Sequence, residues 1–116
     1  VWGYQILEKG GTSGTVIDDD LLPQTFFLSQ NYPNPFNPST LIRYGLPARS
    51  RVSLKVYNIL GQQVADLINA EQSSGWYETV WNASVASGLY FYRIDAVSIT
   101  DPKQSFTQLN KMLLLK

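Results

Sequence analysis

The sequence contains no cysteine and no histidine, and its positive and negative charges cancel to a formal net charge of zero. Without cysteine and histidine the chain has no thiol nucleophile, no Ser-His or Cys-His pair, no disulfide and few usual ligands for zinc, copper or haem iron. Without an excess of Lys and Arg it has no basic field to hold a nucleic-acid backbone. We therefore expect a non-enzyme with no metal or other cofactor, no nucleic-acid partner and no small-molecule substrate.

Long hydrophobic runs are also missing. No apolar run approaches the ~20 residues that a membrane-spanning helix requires, and the run at residues 112–115 has the length of a strand. The 116 residues fit one domain, long enough to bury a core without metals or disulfides. Because the chain begins with Val1 and no signal peptide precedes it, we interpret it as part of a longer exported protein.

From Leu21 onward, short runs of alternating apolar residues are separated by Gly, Pro, Asn and Ser, and no long helical period occurs. Turn signals recur about every 8–12 residues, which is typical of a sandwich. The sequence therefore predicts an all-β fold, an Ig-like antiparallel β-sandwich of about seven strands, with a short helix at residues 64–70 as the weaker alternative. The predicted core consists of Ile42, Tyr44, Val52, Leu54, Val56, Trp81, Tyr90, Tyr92, Ile94, Met112 and Leu114.

The first part of the chain has a different composition. Residues 1–24 are predicted to be a linker or the tail of an upstream domain, and residues 25–116 to form the folded domain. The acidic triplet at residues 18–20 is interpreted as a solvated spacer, because the alternating ligands and glycine turn of a calcium loop are absent. Small, flexible residues at 10–23 make this segment the predicted site of proteolytic processing.

Residues 28–40 read LSQNYPNPFNPST and are rich in proline. Proline lacks an N–H and fixes φ, so three prolines within six residues exclude a central strand. We expect a stiff loop, capped by asparagine side chains, that leads into a strand near Thr40. Tyr32 and Phe36 are the predicted anchors of this loop on the sandwich.

NYPNPFNPST followed by LIRYGLP resembles the opening of the C-terminal sorting domain of the type IX secretion system (the Por secretion system, type A). The resemblance continues in order through RVSLKVYNILGQQV, a glycine-bearing loop before the strand that ends in Trp81-Asn82, SGLYFYRI and the terminal KMLLLK. It covers about residues 26–116. The ordered set at matching spacing is far more specific than any one piece.

The resemblance implies a non-catalytic domain at the C-terminus of a cargo protein in Bacteroidota-type bacteria. Such a domain directs its cargo from the periplasm across the outer membrane to the cell surface or the exterior. The implied partners are the outer-membrane translocon and a sortase-like peptidase, which removes the domain and attaches cargo to anionic lipopolysaccharide. The implied motif residues are Asn31, Tyr32, Pro33, Asn34, Pro35, Phe36, Asn37, Pro38, Gly88 and Tyr90. The implied secretion signal is Lys111, Met112, Leu113, Leu114, Leu115 and Lys116.

The final strand is predicted to be recognised as a folded edge or end. An extended segment with unpaired backbone groups suits strand addition or end capture. In that hypothesis Lys111 and Lys116 are polar anchors, while Met112 and Leu114 hold the strand to the core. The alternative is an ordinary last strand. An extension at residues 98–104 leaves its register open, and an exposed edge could also form a strand-exchanged dimer.

Two other functions remain open. A carbohydrate-binding module could stack sugars on Trp2, Trp81 or Trp76, which is the predicted exposed loop aromatic, although aromatics at strand spacing more often fill a core. A structural Ig-like module of an extracellular enzyme would share the fold without a defined signal. A hydrolase is disfavoured, because acids such as Glu71 and Asp95 show no second carboxylate at a recognisable spacing.

Overall fold

The computed structural model describes two short strands at residues 5–7 and 15–18 and the whole of residues 21–116. These residues form nine strands and no helix. The strands are β1 (Gln5–Leu7), β2 (Thr15–Asp18), β3 (Phe27–Leu28), β4 (Ser39–Leu46), β5 (Ser50–Tyr57), β6 (Gln63–Gln72), β7 (Gly75–Asn82), β8 (Gly88–Ser98) and β9 (Ser105–Leu114).

Two antiparallel sheets pack as a sandwich. One has the strand order β1-β2-β7-β4-β3 and the other the order β6-β5-β8-β9. Successive side chains of a strand point to opposite faces, so the alternating apolar residues of β4, β5, β7 and β8 all face the space between the sheets. All eleven predicted core residues are buried there. The predicted Ig-like sandwich is confirmed, and β3 to β9 are seven strands.

The helix considered at residues 64–70 is wrong, because this segment belongs to β6. It pairs along its length with β5, with irregularities between Leu54 and Lys55 and between Val56 and Tyr57. These shifts disturb the period-2 alternation, which explains why the apolar pattern looked ambiguous. The turn before β6 is as predicted, since Gly61 has a φ of 80°, a conformation that glycine adopts without strain.

The N-terminal strands extend the first sheet, where Val16 of β2 lies opposite Tyr77 of β7. Residues 15–18 of the predicted linker are therefore a strand, and the division at residue 24 stays a prediction. Trp2 and half of the predicted processing segment, including Asp19 and Asp20, lie outside the described residues.

The last strand, β9, lies at the edge of the second sheet. It pairs with β8 in unbroken register, from Gly88 opposite Leu114 to Val97 opposite Ser105. This pairing fixes the register that the sequence left open. In the extension at residues 98–104, Ser98 ends β8 and residues 99–104 form the turn that joins the two strands.

Candidate functional site

The candidate site is the end of β9, with residues 29–38, called here the proline loop, beside it. Along β9 the even-numbered residues face the core, and Met112 and Leu114 are buried. The odd-numbered residues point outward, and Leu115 is 52% exposed. The predicted role of Met112 and Leu114 in holding the strand agrees with this arrangement.

The proline loop runs along the free edge of β9 and pairs with its backbone. The amide of Phe36 donates to the carbonyl oxygen of Leu113 over 3.0 Å, and the amide of Leu115 donates to the carbonyl oxygen of Phe36 over 3.0 Å. These two bonds form a short parallel bridge between Phe36 and Leu114. The loop therefore acts as an additional, very short strand at this end of the sheet.

Side chains complete the pairing. Asn34 Oδ1 accepts a hydrogen bond from the amide of Leu113 at 3.0 Å. Gln30 Nε2 donates to the carbonyl oxygen of Lys111 at 2.9 Å. The Ser87 hydroxyl oxygen accepts from the amide of Lys116 at 2.9 Å. The outward backbone groups from the carbonyl of Lys111 to the amide of Leu115 thus all have partners.

This pairing contradicts the expectation that residues 111–116 offer unpaired backbone groups. Strand addition requires a free row of N–H and C=O groups, and here the proline loop already occupies that row. The expectation failed because the loop lies far from β9 in sequence: Asn34 and Leu113 are separated by 79 residues. No local pattern relates two such segments.

The other side of the proline loop is tied to the first sheet. Tyr32 and Leu41 exchange two backbone hydrogen bonds of 2.9 and 2.8 Å, and the amide of Ser29 donates to the carbonyl oxygen of Arg43 at 2.8 Å. The loop thus bridges β4 of one sheet and β9 of the other. It closes one open side of the sandwich next to residues 111–116.

Of the two predicted anchors, Phe36 is confirmed and Tyr32 is wrong. The Phe36 ring is 2% exposed and lies 5.8 Å from the Trp81 ring, centroid to centroid. The Tyr32 side chain is 77% exposed, since Tyr32 is held through its backbone. Asn31 takes the buried position next to it.

Beneath the loop lies a buried polar cluster around Tyr92. The Tyr92 hydroxyl oxygen accepts hydrogen bonds from the Asn31 backbone amide at 2.8 Å and from Asn110 Nδ2 at 3.1 Å. The same hydroxyl donates a hydrogen bond to the Ser29 carbonyl oxygen at 2.6 Å. Asn31 Nδ2 also donates to Thr40 Oγ1 at 2.9 Å. Burial raises the pKa of Tyr92, partly offset by the bond from Asn110, so the hydroxyl keeps the proton that it donates.

The sequence did not reveal Thr40 or Asn110 as members of this cluster, nor the polar role of Tyr92. Tyr92 falls at a core position of β8, so the alternation identified only its burial. A buried tyrosine hydroxyl needs a hydrogen-bond partner, and that requirement was the one available signal.

The remaining motif residues lie at the same end of the sandwich or on its surface. Gly88 begins β8 opposite Leu114, and Tyr90 lies opposite Met112. The Tyr90 hydroxyl donates to the Ala86 carbonyl oxygen at 2.6 Å, and its ring meets Trp81 edge-on at 5.6 Å. Four other motif residues are exposed: Pro33, Pro35, Asn37 and Pro38.

Of the three tryptophans that the sugar-binding hypothesis invokes, Trp76 and Trp81 are described by the structure, and both make contacts within the fold. Trp76 was predicted to be an exposed loop aromatic, which is wrong because it lies on β7 and is half-buried. Its indole N–H donates to the Leu21 carbonyl oxygen at 3.0 Å, and the Arg43 guanidinium carbon lies 4.8 Å from its ring centroid. Trp81 is in the core.

Two acidic residues, Glu71 and Asp95, form ion pairs on the surface. Glu71 pairs with Arg49, and Asp95 pairs with Arg93 at 3.0 Å. Asp95 also accepts a hydrogen bond from the Thr107 hydroxyl at 2.7 Å. Within the described part of the chain, no three His, Cys, Asp or Glu residues are grouped as metal ligands would be. The same residues include no helix of the length and hydrophobicity that crossing a membrane requires.

Comparison with known proteins identifies the family to which this chain belongs. A family model described as the secretion system C-terminal sorting domain matches residues 30–106, which is more than half of the 116 residues. The match includes most of the proline loop and ends before residues 111–116. No curated protein and no solved structure was found to match the chain.

Domains of this family are sorting signals of the type IX secretion system and are not catalytic. The system carries proteins through the periplasm to the cell surface or the extracellular space, so its machinery is the partner of such a domain. The matched region contains the NYPNPFNP motif and β4 to β8 in order. The chain therefore belongs to the family of type IX secretion system C-terminal sorting domains.

Proposed function

We propose that this domain exports a cargo protein attached to its N-terminal side and that the outer-membrane translocon reads the domain in its folded form. We further propose that residues 111–116 are the part that the translocon contacts. The observation that carries the proposal is the position of these residues at the edge of the sandwich, with Met112 and Leu114 buried and Lys111, Leu115 and Lys116 exposed.

The outward side chains of residues 111–116 supply the recognition chemistry. They combine the two ammonium groups of Lys111 and Lys116 with the apolar side chains of Leu113 and Leu115. The complementary surface on the translocon is an apolar patch with acidic groups at its rim, because opposite charges orient an encounter while apolar burial supplies affinity. Backbone pairing adds little here, because the proline loop already satisfies the strand edge.

A sortase-like peptidase then cuts between residues 10 and 23 and attaches the released cargo to anionic lipopolysaccharide. This part of the proposal is supported by the composition of the segment, which combines Gly, Ser and Thr with an acidic triplet. Residues 15–18 of this segment pair with β7 as β2, so the proposed cut lies outside that strand, because proteolysis is disfavoured where the backbone is hydrogen-bonded in a sheet.

The test fuses residues 26–116 to a periplasmic reporter in a host that has the type IX system. We expect the reporter in the medium or on the cell surface, and retention in the periplasm when residues 111–116 are deleted. Normal export of the deleted fusion would contradict the proposal.

A deletion that removes two buried side chains also weakens the fold, so charge reversals supply a second arm. We expect Lys111→Glu with Lys116→Glu to lower export at least tenfold, which corresponds to about 1.4 kcal/mol of binding free energy. The matched control is Lys55→Glu with Lys103→Glu, away from the site. Mass spectrometry of cargo secreted with the whole chain should find a new C-terminus between residues 10 and 23, and an end beyond Phe27 would refute the cleavage step.

A further inference from the structure

Three residues of the proline loop bind the backbone of β9 at residues 111–115. Asn34 and Gln30 are exposed side chains, yet each binds the backbone of β9 across about eighty residues of sequence. Phe36 adds two backbone bonds farther along β9, to the Leu113 carbonyl and the Leu115 amide, and is the one member held in the core. Exposed polar side chains are rarely kept in one geometry without a partner, because fixing them costs rotamer entropy.

We propose that Gln30, Asn34 and Phe36 form a clasp, a set of positioning residues that hold residues 111–116 in strand geometry and keep their edge closed. This inference rests on the proposed function, since it concerns how that signal is presented. The signal is then a composite of two segments distant in sequence. The NYPNPFNP motif serves the signal by shaping it and need not touch the translocon.

Two physical consequences make the clasp useful. The last residues of a chain segment fray unless they are tied down, and frayed residues would present Lys111, Leu113 and Leu115 in no fixed arrangement. An unpaired edge strand also pairs readily with other chains, which is a hazard for a protein in transit through the periplasm. A closed edge limits recognition to the outward side chains and excludes unspecific strand addition.

The loop is tied to both sheets, so the clasp depends on a complete sandwich. The backbone of Tyr32 pairs with Leu41 on the first sheet, while Phe36 pairs with β9 on the second. If either sheet is unformed, the loop loses one of its two supports. The composite signal is therefore presented only after the domain has folded, which links export competence to folding.

The test compares Asn34→Ala with Asn34→Asp in the full domain fused to the reporter. Alanine removes the acceptor of the Leu113 amide, whereas a carboxylate oxygen restores it. We expect Asn34→Ala to raise the hydrogen-exchange rate of the Leu113 amide about five- to tenfold, to lower export by a similar factor, and to leave the melting temperature within about 2 °C of the parent. Asn34→Asp should recover both slow exchange and export.

The matched control is Asn69→Ala, which removes an exposed asparagine bound by Arg51 at 2.9 Å on the other edge of the same sheet. It should change neither exchange at Leu113 nor export. If Asn34→Ala proves to melt far below the parent, Gln30→Ala is measured in its place, with exchange followed at residues 111–115.

Three results would overturn the clasp. The first is an unchanged exchange rate of the Leu113 amide in Asn34→Ala. The second is faster exchange of that amide while export stays at the parent level. The third is faster exchange of that amide while export rises above the parent level. The last result would mean that the machinery itself adds a strand. The deletion of residues 111–116 separates the two proposals. Normal export of the deleted fusion refutes the signal. Loss of export in the deletion, together with normal export of Asn34→Ala, refutes the clasp alone.

Discussion

The two halves of the last strand differ in what lies beside them. In the half at residues 111–115, the proline loop binds the edge backbone groups from the Lys111 carbonyl to the Leu115 amide. In the half at residues 105–109, the backbone amides and carbonyls of Ser105, Thr107 and Leu109 point away from β8, at the edge of the sheet. No hydrogen bond from the described residues reaches these groups. One strand thus carries a covered and an open edge.

The difference shows that protection of the edge comes from the proline loop and not from the strand itself. Residues 105–110 read SFTQLN and contain neither charge nor proline, the usual means of blunting an edge. A groove of about 410 Å³ lies on the outer face beside this half, lined by Tyr57, Phe91, Thr107 and Leu109, among others. The contacts of the proline loop with β9 extend as far as Asn110, whose side-chain amide donates to the Ser29 carbonyl oxygen at 3.3 Å.

The largest effect is expected from Phe36→Ala, which removes the buried anchor of the loop and should make the covered half resemble the open half. We expect a loss of about 3–5 kcal/mol in the free energy of unfolding, measured by urea denaturation. Exchange at the Leu113 amide should then approach the rate at Leu109. Phe27→Ala is the control, since that ring is exposed and should cost much less. A loss under about 1 kcal/mol would show that Phe36 does not anchor the loop.

A smaller effect is expected from Tyr92→Phe, which keeps the ring and removes the hydroxyl that links the loop to β8 and β9. We expect a loss of about 1–3 kcal/mol, because the buried Asn31 amide loses its partner and the Ser29 carbonyl loses the shorter of its two hydrogen bonds. Tyr57→Phe, on the outer face of β5, is the control. An unchanged urea midpoint in Tyr92→Phe would mean that the polar cluster does not hold the loop.

Tyr92→Phe also has a pH signature. Burial raises the pKa of Tyr92 above the ordinary value of 10.0, so its neutral form stabilises the fold. That contribution is complete below pH 10 and is lost as the pH rises through the folded pKa. The parent should therefore lose stability at alkaline pH more steeply than Tyr92→Phe does. Tyr44 and Tyr77 retain the rest of the dependence, since burial raises their pKa as well.

The smallest effect compares the two halves directly by placing proline in each. Leu113→Pro removes an amide that Asn34 binds, whereas Leu109→Pro removes an outward amide on the open half. Proline is tolerated at such edge positions, so Leu113→Pro should be the less stable of the two by about 0.5 kcal/mol. Thermal unfolding followed by circular dichroism gives the difference, and equal stability would contradict the comparison.

The core of the sandwich was predictable because strands have a period of two. Val52, Leu54 and Val56 could be assigned to the interior from their spacing alone, and so could Tyr90, Tyr92 and Ile94. The ambiguity at residues 64–70 arose where irregular pairing with β5 disturbs that period. Local pattern predicts structure only where the local geometry is regular.

The site was less predictable. The sequence indicated that the proline loop and residues 111–116 matter, and it placed Phe36 in the interior. It did not indicate that these segments touch, nor that Asn31 instead of Tyr32 would be buried. A loop without a period does not specify which side chain points inward until the sheets that flank it are in place.

By itself, then, the amino-acid sequence determined an all-β domain of zero net charge, its core and the family to which it belongs. Only the tertiary structure decided that the proline loop closes the end of β9 and leaves residues 105–109 open. The physical reason is distance along the chain: alternation and turn chemistry act over a few residues, whereas Asn34 and Leu113 meet only when both sheets have packed.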